Sequence, residues 1–275
     1  MKKVYIIALS MMIFLPSIAQ ETEGDNEGKS DTTRVNLGKR EFVIIEHEDE
    51  EEDFYIDEGD TVFTKKKKRS EAHWAGIDFG FSMLMNNNFE GKFDDHKYWE
   101  NDPARSQTWN LNLLEYKFNF GTPYVGLTTG LGFSFTSIAF KDNYVLAETA
   151  DTLFASIDTV NTYTKNKLKA SYLTVPLLLE FNTNADENKS FYLAAGVVGG
   201  VRLTSKVKRK GEFDGKDFVQ KEKGKYGLNP FKLDATVRFG YSHFGAFASY
   251  SLLPLFDEGK TVAVYPLTFG LSLNF

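Results

Sequence analysis

The chain has 275 residues, a net charge of -6, a mean hydropathy of -0.33 and no cysteine. The absence of cysteine excludes disulfides, thiolate metal sites, a cysteine nucleophile and a lipid attached to cysteine. The low hydropathy does not exclude a membrane β-barrel, because only alternate residues of a barrel strand face lipid. Aromatic residues make up 15% of the chain, which favours strands.

The first 19 residues have the pattern of a secretory signal peptide. Lys2 and Lys3 precede an apolar run at 4–15, and the small residues Ser17 and Ala19 suit cleavage before Gln20. The alternative is a transmembrane anchor, but the run is shorter than the ~20 residues that a spanning helix needs.

Residues 20–72 are predicted to form an acidic, mostly disordered periplasmic tail with one short β-prone run at 42–45. The acidic run at 46–53 lacks the ligand spacing and the central glycine of a calcium loop, so we interpret it as solvated. The basic run at 65–69 either contacts anionic head groups at the periplasmic rim or neutralises the acidic run. Nucleic-acid binding is not expected, since no aromatic residue interrupts this basic run.

From residue 73 onward, apolar and polar residues alternate with the period of two that is typical of strands with one apolar face. The pattern is clearest in the last segment, 265–275, where it continues to the terminal phenylalanine. The predicted strands are 73–85, 108–121, 124–140, 167–182, 191–204, 231–241, 244–252 and 262–275. Long polar loops follow the first, third and fifth strands, and short turns follow the second, fourth and sixth. The predicted fold is all-β, an eight-stranded antiparallel up-and-down transmembrane β-barrel.

Several local features refine this prediction. The alternation changes phase near Leu113 and Leu114, which predicts a β-bulge. Pro176 and Pro266 lie inside strands and predict a bulge or a missing hydrogen bond at each. Glycines share the inward face of the third strand, as a crowded narrow interior requires. Five rings are predicted to lie at the membrane interface: Trp74, Tyr124, Tyr241, Tyr250 and Tyr265.

Acidic and basic residues balance on the predicted inward face. They are Asp78, Glu115, Lys117, Glu180, Arg202, Lys232, Asp234 and Arg238. Since unpaired buried charges are costly and an eight-stranded barrel is just wide enough to be filled by side chains, we expect a closed, salt-bridged lumen. The alternative is the polar pore of a small-solute porin.

No catalytic, cofactor or metal site is expected. The four histidines, at 47, 73, 96 and 243, have no metal-ligand spacing. A barrel enzyme would need a nucleophile and a base at one rim. His96 beside Asp94 and Asp95 is the only such candidate, and a solvated loop cluster is the simpler interpretation.

Three further motifs carry a resemblance to a known family. They are residues 73–76 (His-Trp-Ala-Gly), 130–133 (Gly-Leu-Gly-Phe) and 171–181 (Ser-Tyr-Leu-Thr-Val-Pro-Leu-Leu-Leu-Glu-Phe). Together with the signal peptide, they resemble the PorT-like outer-membrane β-barrels of Bacteroidota, which are small barrels of the OmpA and OmpX type. The family's namesake assists protein secretion. The resemblance also implies that the barrel-assembly machinery recognises the C-terminal strand through Tyr265, Phe269, Leu271, Leu273 and Phe275.

The sequence therefore predicts a non-enzymatic outer-membrane barrel with a surface-interaction or secretion and assembly role. We expect the tail and the short turns in the periplasm and the long loops outside the cell. The expected partners are outer-membrane lipid, the assembly machinery, and a periplasmic or secretion-system protein. Besides the porin, a soluble lipocalin-like barrel that binds an apolar ligand is an alternative, and its apolar face would point inward.

Overall fold

The computed structural model describes residues 31–37, 40–46, 72–149, 151–213 and 216–275. The chain divides into two units, Met1–Lys66 and Lys67–Phe275. In the first unit, β1 (Asp31–Leu37) pairs antiparallel with β2 (Arg40–Glu46), which contains the β-prone run. The predicted β-prone run at 42–45 thus lies within a strand. The predicted signal peptide, the basic run and nearly all of the acidic run lie outside the described residues.

In the second unit, eight strands form a closed antiparallel ring. Each pairs with the next along the chain, and the last pairs with the first. The ring consists of β3 (Gly76–Met85), β4 (Gln107–Asn119), β5 (Val125–Ala139), β8 (Thr162–Asn182), β9 (Phe191–Phe213), β11 (Phe231–Tyr241), β12 (Phe244–Ser251) and β13 (Tyr265–Asn274). This confirms the predicted eight-stranded barrel.

The alternation of side chains places the polar face inside the ring. In β13, Thr268, Ser272 and Asn274 are buried, whereas Leu271 and Leu273 are exposed on the outer surface. The same arrangement holds in β8, where Glu180 is buried and Leu177 is exposed. The lipocalin-like alternative is wrong, because it requires the apolar face to point inward.

The predicted irregularities are found where the sequence places them. The β4–β5 register shifts between Asn112 and Leu114, which confirms the bulge. The β5–β8 ladder has no partner for Pro176, although the register on either side is continuous. Pro266 lies beyond the end of the β12–β13 ladder, which stops at Leu267. Each proline is paired in its other ladder, Pro176 with Val198 and Pro266 with Leu84. Each therefore lacks a partner on one side only, as suits a residue with no backbone N–H to donate.

Two predicted loops contain strands instead. Within 141–165, β6 (Tyr144–Glu148) and β7 (Leu153–Ile157) form a hairpin, and β8 already begins at Thr162. Within 206–229, β9 continues to Phe213 and pairs with β10 (Lys216–Lys223). The extensions of β8 and β9 alternate too, but there lysine occupies the outward positions that leucine and valine occupy lower in the barrel. The polar composition therefore conceals the strand period.

The two ends of the barrel differ. Short connections follow β4, β8 and β11 at one end, here called the short-turn end. The opposite, long-connection end carries the β6–β7 hairpin, strand β10 and two 3₁₀ helices, Asp94–Trp99 and Pro103–Arg105. Its apolar residues form one buried group, here called the cap cluster: Leu84, Phe93, Trp99, Ile138, Phe140, Leu146, Leu153, Leu168, Ala170, Tyr172, Val207, Leu228, Phe256 and Val264.

Trp99 lies in the cap cluster and is fully buried. Its ring packs on Phe256 with centroids 4.3 Å apart, and its Nε1 donates a hydrogen bond to Thr261 Oγ1 at 2.9 Å. A buried tryptophan with its N–H satisfied removes a large apolar area from water. The long connections are thus packed together by an apolar core of their own.

The inward face of β5 confirms the predicted crowding. A Cβ atom added to Gly130 would lie 2.1 Å from the carbonyl oxygen of Leu114 and 3.0 Å from Cδ1 of Trp74. The first approach is closer than a real side chain tolerates, and the second would force the Trp74 ring to shift. Glycine is therefore required for β4 and β5 to pack this closely.

Candidate functional site: the lumen and its cap

Near the short-turn end, Glu180 of β8 is the centre of a buried polar cluster. His73 Nδ1 lies 2.9 Å from Glu180 Oε1, and Lys117 Nζ lies 3.4 Å from the same oxygen. Thr128 donates its hydroxyl to Oε2 at 2.7 Å. The side chain of Glu180 is 1% exposed, so these contacts provide nearly all of the stabilisation that water would otherwise give it.

Glu115 has a different role from the ion pair expected of it. Its Oε2 accepts hydrogen bonds from the backbone N–H groups of Trp74 at 2.8 Å and Ala75 at 2.6 Å. These bonds attach the segment just before β3 to β4. Glu115 therefore fixes how the chain enters the barrel.

Midway along the lumen, Arg238 of β11 and Asp78 of β3 form a two-point ion pair. The Nη1–Oδ2 distance is 2.9 Å and the Nη2–Oδ1 distance is 3.0 Å. Asn110 and Asn112 each donate a side-chain N–H to Asp78 Oδ2, at 3.2 and 3.1 Å. Both charged side chains are 1% exposed. This geometry combines charge and direction, which makes it the stronger kind of hydrogen-bonded pair.

Aromatic rings and an amide surround the guanidinium of Arg238. Its centre lies 5.1 Å from the Trp74 ring and 6.0 Å from the Phe247 ring. Asn274 accepts a hydrogen bond from Nη2 at 3.2 Å and itself donates to the Tyr192 hydroxyl at 2.9 Å. Arg238 thus extends across the lumen and contacts strands on several sides of it.

Towards the long-connection end, Lys232 and Asp234 form a third pair, at 2.7 Å. Ser251 donates its hydroxyl to the other oxygen of Asp234 at 2.6 Å. Arg202 does not join this pair and is only half-buried. It donates to the backbone carbonyls of Lys225 and Leu228, at 3.1 and 2.6 Å. The expectation of a lumen charge partner for Arg202 is wrong, because it lies where β9 leaves the ring and the cap begins.

The space left between these side chains is small. One cavity of about 30 Å³ lies beside Asp78 and Arg238, which is room for about two water molecules. Four buried atoms of its lining residues have no hydrogen-bond partner among the described residues: Trp74 Nε1, Asn112 Oδ1, Ser134 Oγ and Arg238 Nε. Water of this amount would satisfy them.

Several lumen residues escaped the sequence analysis. The sequence marks His73 only as a histidine at the start of a strand, whereas its ring stacks on Tyr192 with centroids 4.2 Å apart. Trp74 was expected at the membrane interface, but it is 3% exposed inside the barrel. Strand phase could have identified the two inward rings. Trp74 has the same phase as the inward Asp78, and Tyr192 has the same phase as the inward Gly196.

Aromatic residues of the outer surface collect at both ends of the apolar belt. At the short-turn end, Phe191 and Tyr241 pack with centroids 4.6 Å apart. At the long-connection end, Tyr250 and Tyr265 are 6.0 Å apart. Phe191 and Tyr241 are exposed, whereas Tyr250 and Tyr265 are half-buried. Rings at two levels of the outer surface are what an interfacial aromatic girdle requires.

The described residues contain no group of three or more histidines, aspartates or glutamates that could hold a metal ion. His96 Nδ1 lies 2.7 Å from the Tyr98 hydroxyl. In the same part of the chain, no helix is both long enough and apolar enough to cross a membrane.

Comparison with solved structures finds Ail, the attachment invasion locus protein of Yersinia pestis, alone and in complex with the heparin analogue sucrose octasulfate. Each match has 16% identity and a TM-score of 0.29, covers 73% of this chain, and covers 99% or 95% of the Ail chain. A search of curated proteins finds no match. The family model of the outer membrane protein beta-barrel domain matches residues 75–258. The chain therefore belongs to this family and is an outer-membrane β-barrel protein.

Proposed function

We propose that the protein is a non-conducting, non-enzymatic barrel that presents its long-connection end at the cell surface as an interaction surface. The observation that carries this proposal is the filled lumen. The Asp78–Arg238 pair and the Glu180 cluster block two successive levels, and the cavity beside the first holds only about two water molecules. A side-chain-filled barrel acts through its surfaces, because it offers no passage.

The structure of the long-connection end supports its role as an interaction surface. Strands β8 and β9 have 21 and 23 residues, whereas crossing a bilayer takes about 9–11. About 10–12 residues of β8 and about 12–14 residues of β9 therefore project beyond the membrane. They pack on the cap cluster, so the projecting part is a folded surface that can hold a defined shape for a partner.

In this proposal the N-terminal tail and the short turns lie in the periplasm. The resemblance to PorT-like barrels supports a role in secretion or assembly with a periplasmic or secretion-system partner. The exposed apolar side chains of Phe269, Leu271, Leu273 and Phe275 support recognition of β13 by the barrel-assembly machinery. With Tyr265, they belong to the outward apolar face of the last strand.

The first experiment measures conductance. Purified protein is inserted into planar bilayers, and insertion is verified by the change in gel mobility on boiling. We expect no steady conductance above the bare bilayer. A reproducible, ion-selective step conductance would favour the porin alternative and contradict the proposal.

The second experiment tests the orientation of the barrel in the membrane. Because the chain has no cysteine, an introduced cysteine is the sole site for thiol labelling. Ser156 is exposed in the β6–β7 hairpin, and Asn188 is exposed in the short connection after β8. On intact cells, a membrane-impermeant maleimide should label S156C and leave N188C unlabelled. After permeabilisation both should react. The reverse pattern would place the long connections in the periplasm and refute the proposed orientation.

A further inference from the structure

The projecting parts of β8, β9 and β10 form a three-stranded sheet in which lysines lie directly opposite one another. Lys169 pairs in register with Lys206, and Lys206 with Lys223. The next row is Lys167, Lys208 and Lys221. A third row contains Lys165 and Lys210. We call these eight residues the lysine face: Lys165, Lys167, Lys169, Lys206, Lys208, Lys210, Lys221 and Lys223.

The lysine face is the upward continuation of the apolar outer surface of the barrel. In β8 the lysines have the same strand phase as Leu173, Val175 and Leu177, which are on the outside. In β9 a register shift opposite Ser171 and Tyr172 changes the phase after Leu203, so that Lys206 and Lys208 also point outward. The opposite side of the sheet packs inward. These lysines therefore lie on the lateral surface of the extension, where Lys167 Nζ also donates to the Arg105 carbonyl at 2.7 Å.

The residues between the lysines anchor the sheet from behind. Leu168 is 3% exposed and Val207 is 1% exposed, and both belong to the cap cluster. Arg209, on the same inner side, pairs with Glu222 at 3.0 Å. The direction of the lysine face is thus fixed by packing.

Opposed like charges on neighbouring strands destabilise a sheet. Burial lowers the pKa of Lys167 below its ordinary value, and the nearby charges of Lys169, Arg105 and Lys165 lower it further, against a smaller opposing effect of Asp102. The only acids in phase with the lysines on these strands, within the described residues, are Glu212 and Asp217 at the tip. Asp217 lies 3.5 Å from Lys210. The inner two rows, which have six lysines, have no acid of their own on this face.

The overall composition does not account for this concentration of charge, since the whole chain carries a net charge of -6. Six like charges in two adjacent rows attract a multivalent counter-charge. Its position is indicated by the apolar belt. Lys169 is four residues above Leu173, or about 13 Å along the strand. Between them is Ser171, which pairs with the exposed Phe135, itself paired with Trp109. The lysines therefore begin just above the aromatic level, at the height of lipid head groups.

We propose that the lysine face binds the phosphate groups of anionic glycolipid in the membrane leaflet on the long-connection side. Charge complementarity and continuity with the lipid-facing belt select a lateral lipid over a soluble ligand. Each lysine close to an anionic surface adds to the attraction, and the rows match a head group that carries more than one phosphate. The cellular identity of the leaflet rests on the proposed orientation, whereas the binding itself does not.

The test uses the full chain, refolded in neutral detergent, with native mass spectrometry counting bound lipid. The probes are a bis-phosphorylated lipid A and the same glycolipid without phosphates. The variant K167Q/K169Q/K206Q/K208Q neutralises the centre of the face. The matched control, K92Q/K97Q/K189Q/K225Q, removes four exposed lysines elsewhere. Heat-modifiable gel mobility verifies that each variant is folded.

We expect the wild type and the control to bind the bis-phosphorylated lipid about tenfold or more tightly than the central variant does, with the difference shrinking at high salt. Inorganic phosphate should not compete. Equal binding by the central variant, or no preference for the phosphorylated lipid, would overturn the proposal. Preferential binding of a soluble polyanion, inositol hexakisphosphate, over the lipid would also overturn it. Inverted cysteine labelling would refute only the orientation, because the detergent measurement is independent of it.

Discussion

The Asp78–Arg238 pair offers the sharpest test of how the lumen is held together. In R238M, the carboxylate of Asp78 stays buried with only the two asparagine donors. Leaving one member of a buried ion pair unpaired costs about 3–5 kcal/mol. Because both side chains are 1% exposed, water cannot easily compensate, and we expect a loss of that size in the free energy of unfolding. D78N should cost a similar amount, since it leaves the guanidinium without its counter-ion.

The double variant D78N/R238M leaves no unpaired charge. If the pair acts as a unit, its cost should fall short of the sum of the single costs by at least about 2 kcal/mol. Unfolding by urea in lipid vesicles, followed by tryptophan fluorescence, measures all three variants. Trp74 is a useful reporter, since its ring lies 5.1 Å from the Arg238 guanidinium.

A matched control comes from the exposed pair Lys141–Glu100, which is 3.1 Å apart with side chains 48% and 23% exposed. Exposed pairs contribute about 0–1 kcal/mol, so K141M should change stability little. If R238M costs no more than K141M, or if the costs of D78N and R238M simply add, the buried pair does not organise the lumen. The reasoning from burial would then be refuted.

Three other predictions follow from the same structure. G130A should destabilise the barrel by about 1–3 kcal/mol in urea unfolding, because its Cβ would lie 2.1 Å from a backbone oxygen, while G199A, with its nearest atom at 3.9 Å, should be nearly neutral. Equal effects would contradict the packing argument. F275A should slow insertion by the assembly machinery more than F244A does, although the two rings are similarly exposed at 71% and 72%. Equal insertion rates of F275A and F244A would show that Phe275 has no special role in recognition by the machinery. Finally, phosphorylated-lipid binding should weaken as pH rises from about 7 to about 10, since the lowered pKa of Lys167 means that its positive charge is lost below the usual ~10.4. The same shift makes the folded extension bind fewer protons than the unfolded chain, so its stability should rise over this interval. Lipid binding that is unchanged or stronger at high pH would contradict the role given to the lysine charges.

Local pattern determined much of the barrel. The alternation in 265–275 predicts both the strand and which side chains face out, because successive residues of any strand point to opposite faces. The bulge near Leu113 and Leu114 could be predicted for the same reason, since an extra residue must reverse the phase. The even strand number and the unequal connections then predicted the closed antiparallel barrel.

The hydrophobic pattern did not predict the strand extensions, because lysines replace apolar residues there although the alternation of period two continues. The outward residues of the β8 extension, Lys165, Lys167 and Lys169, alternate with Asn166, Leu168 and Ala170 as regularly as the residues below them do. Because the outward residues are charged and the inward face of this stretch has only Leu168 and Ala170 as apolar residues, its composition indicated a loop. The missing half of that core comes from β6, β7 and the 3₁₀ helices, which are distant in sequence.

The partners of the lumen charges were decided by tertiary structure alone. Sequence phase places Asp78, Glu180 and Arg238 inside the barrel, but it does not set their heights relative to one another. Those heights follow from strand register and tilt, which bring Arg238 to Asp78 and His73 to Glu180. The opposed lysine rows arise in the same way, because a change of register by one residue would send half of them to the other face. The sequence by itself thus determined the strands and their faces. Only the closed ring decided which side chains meet, since register is a property of strand pairs that lie far apart along the chain.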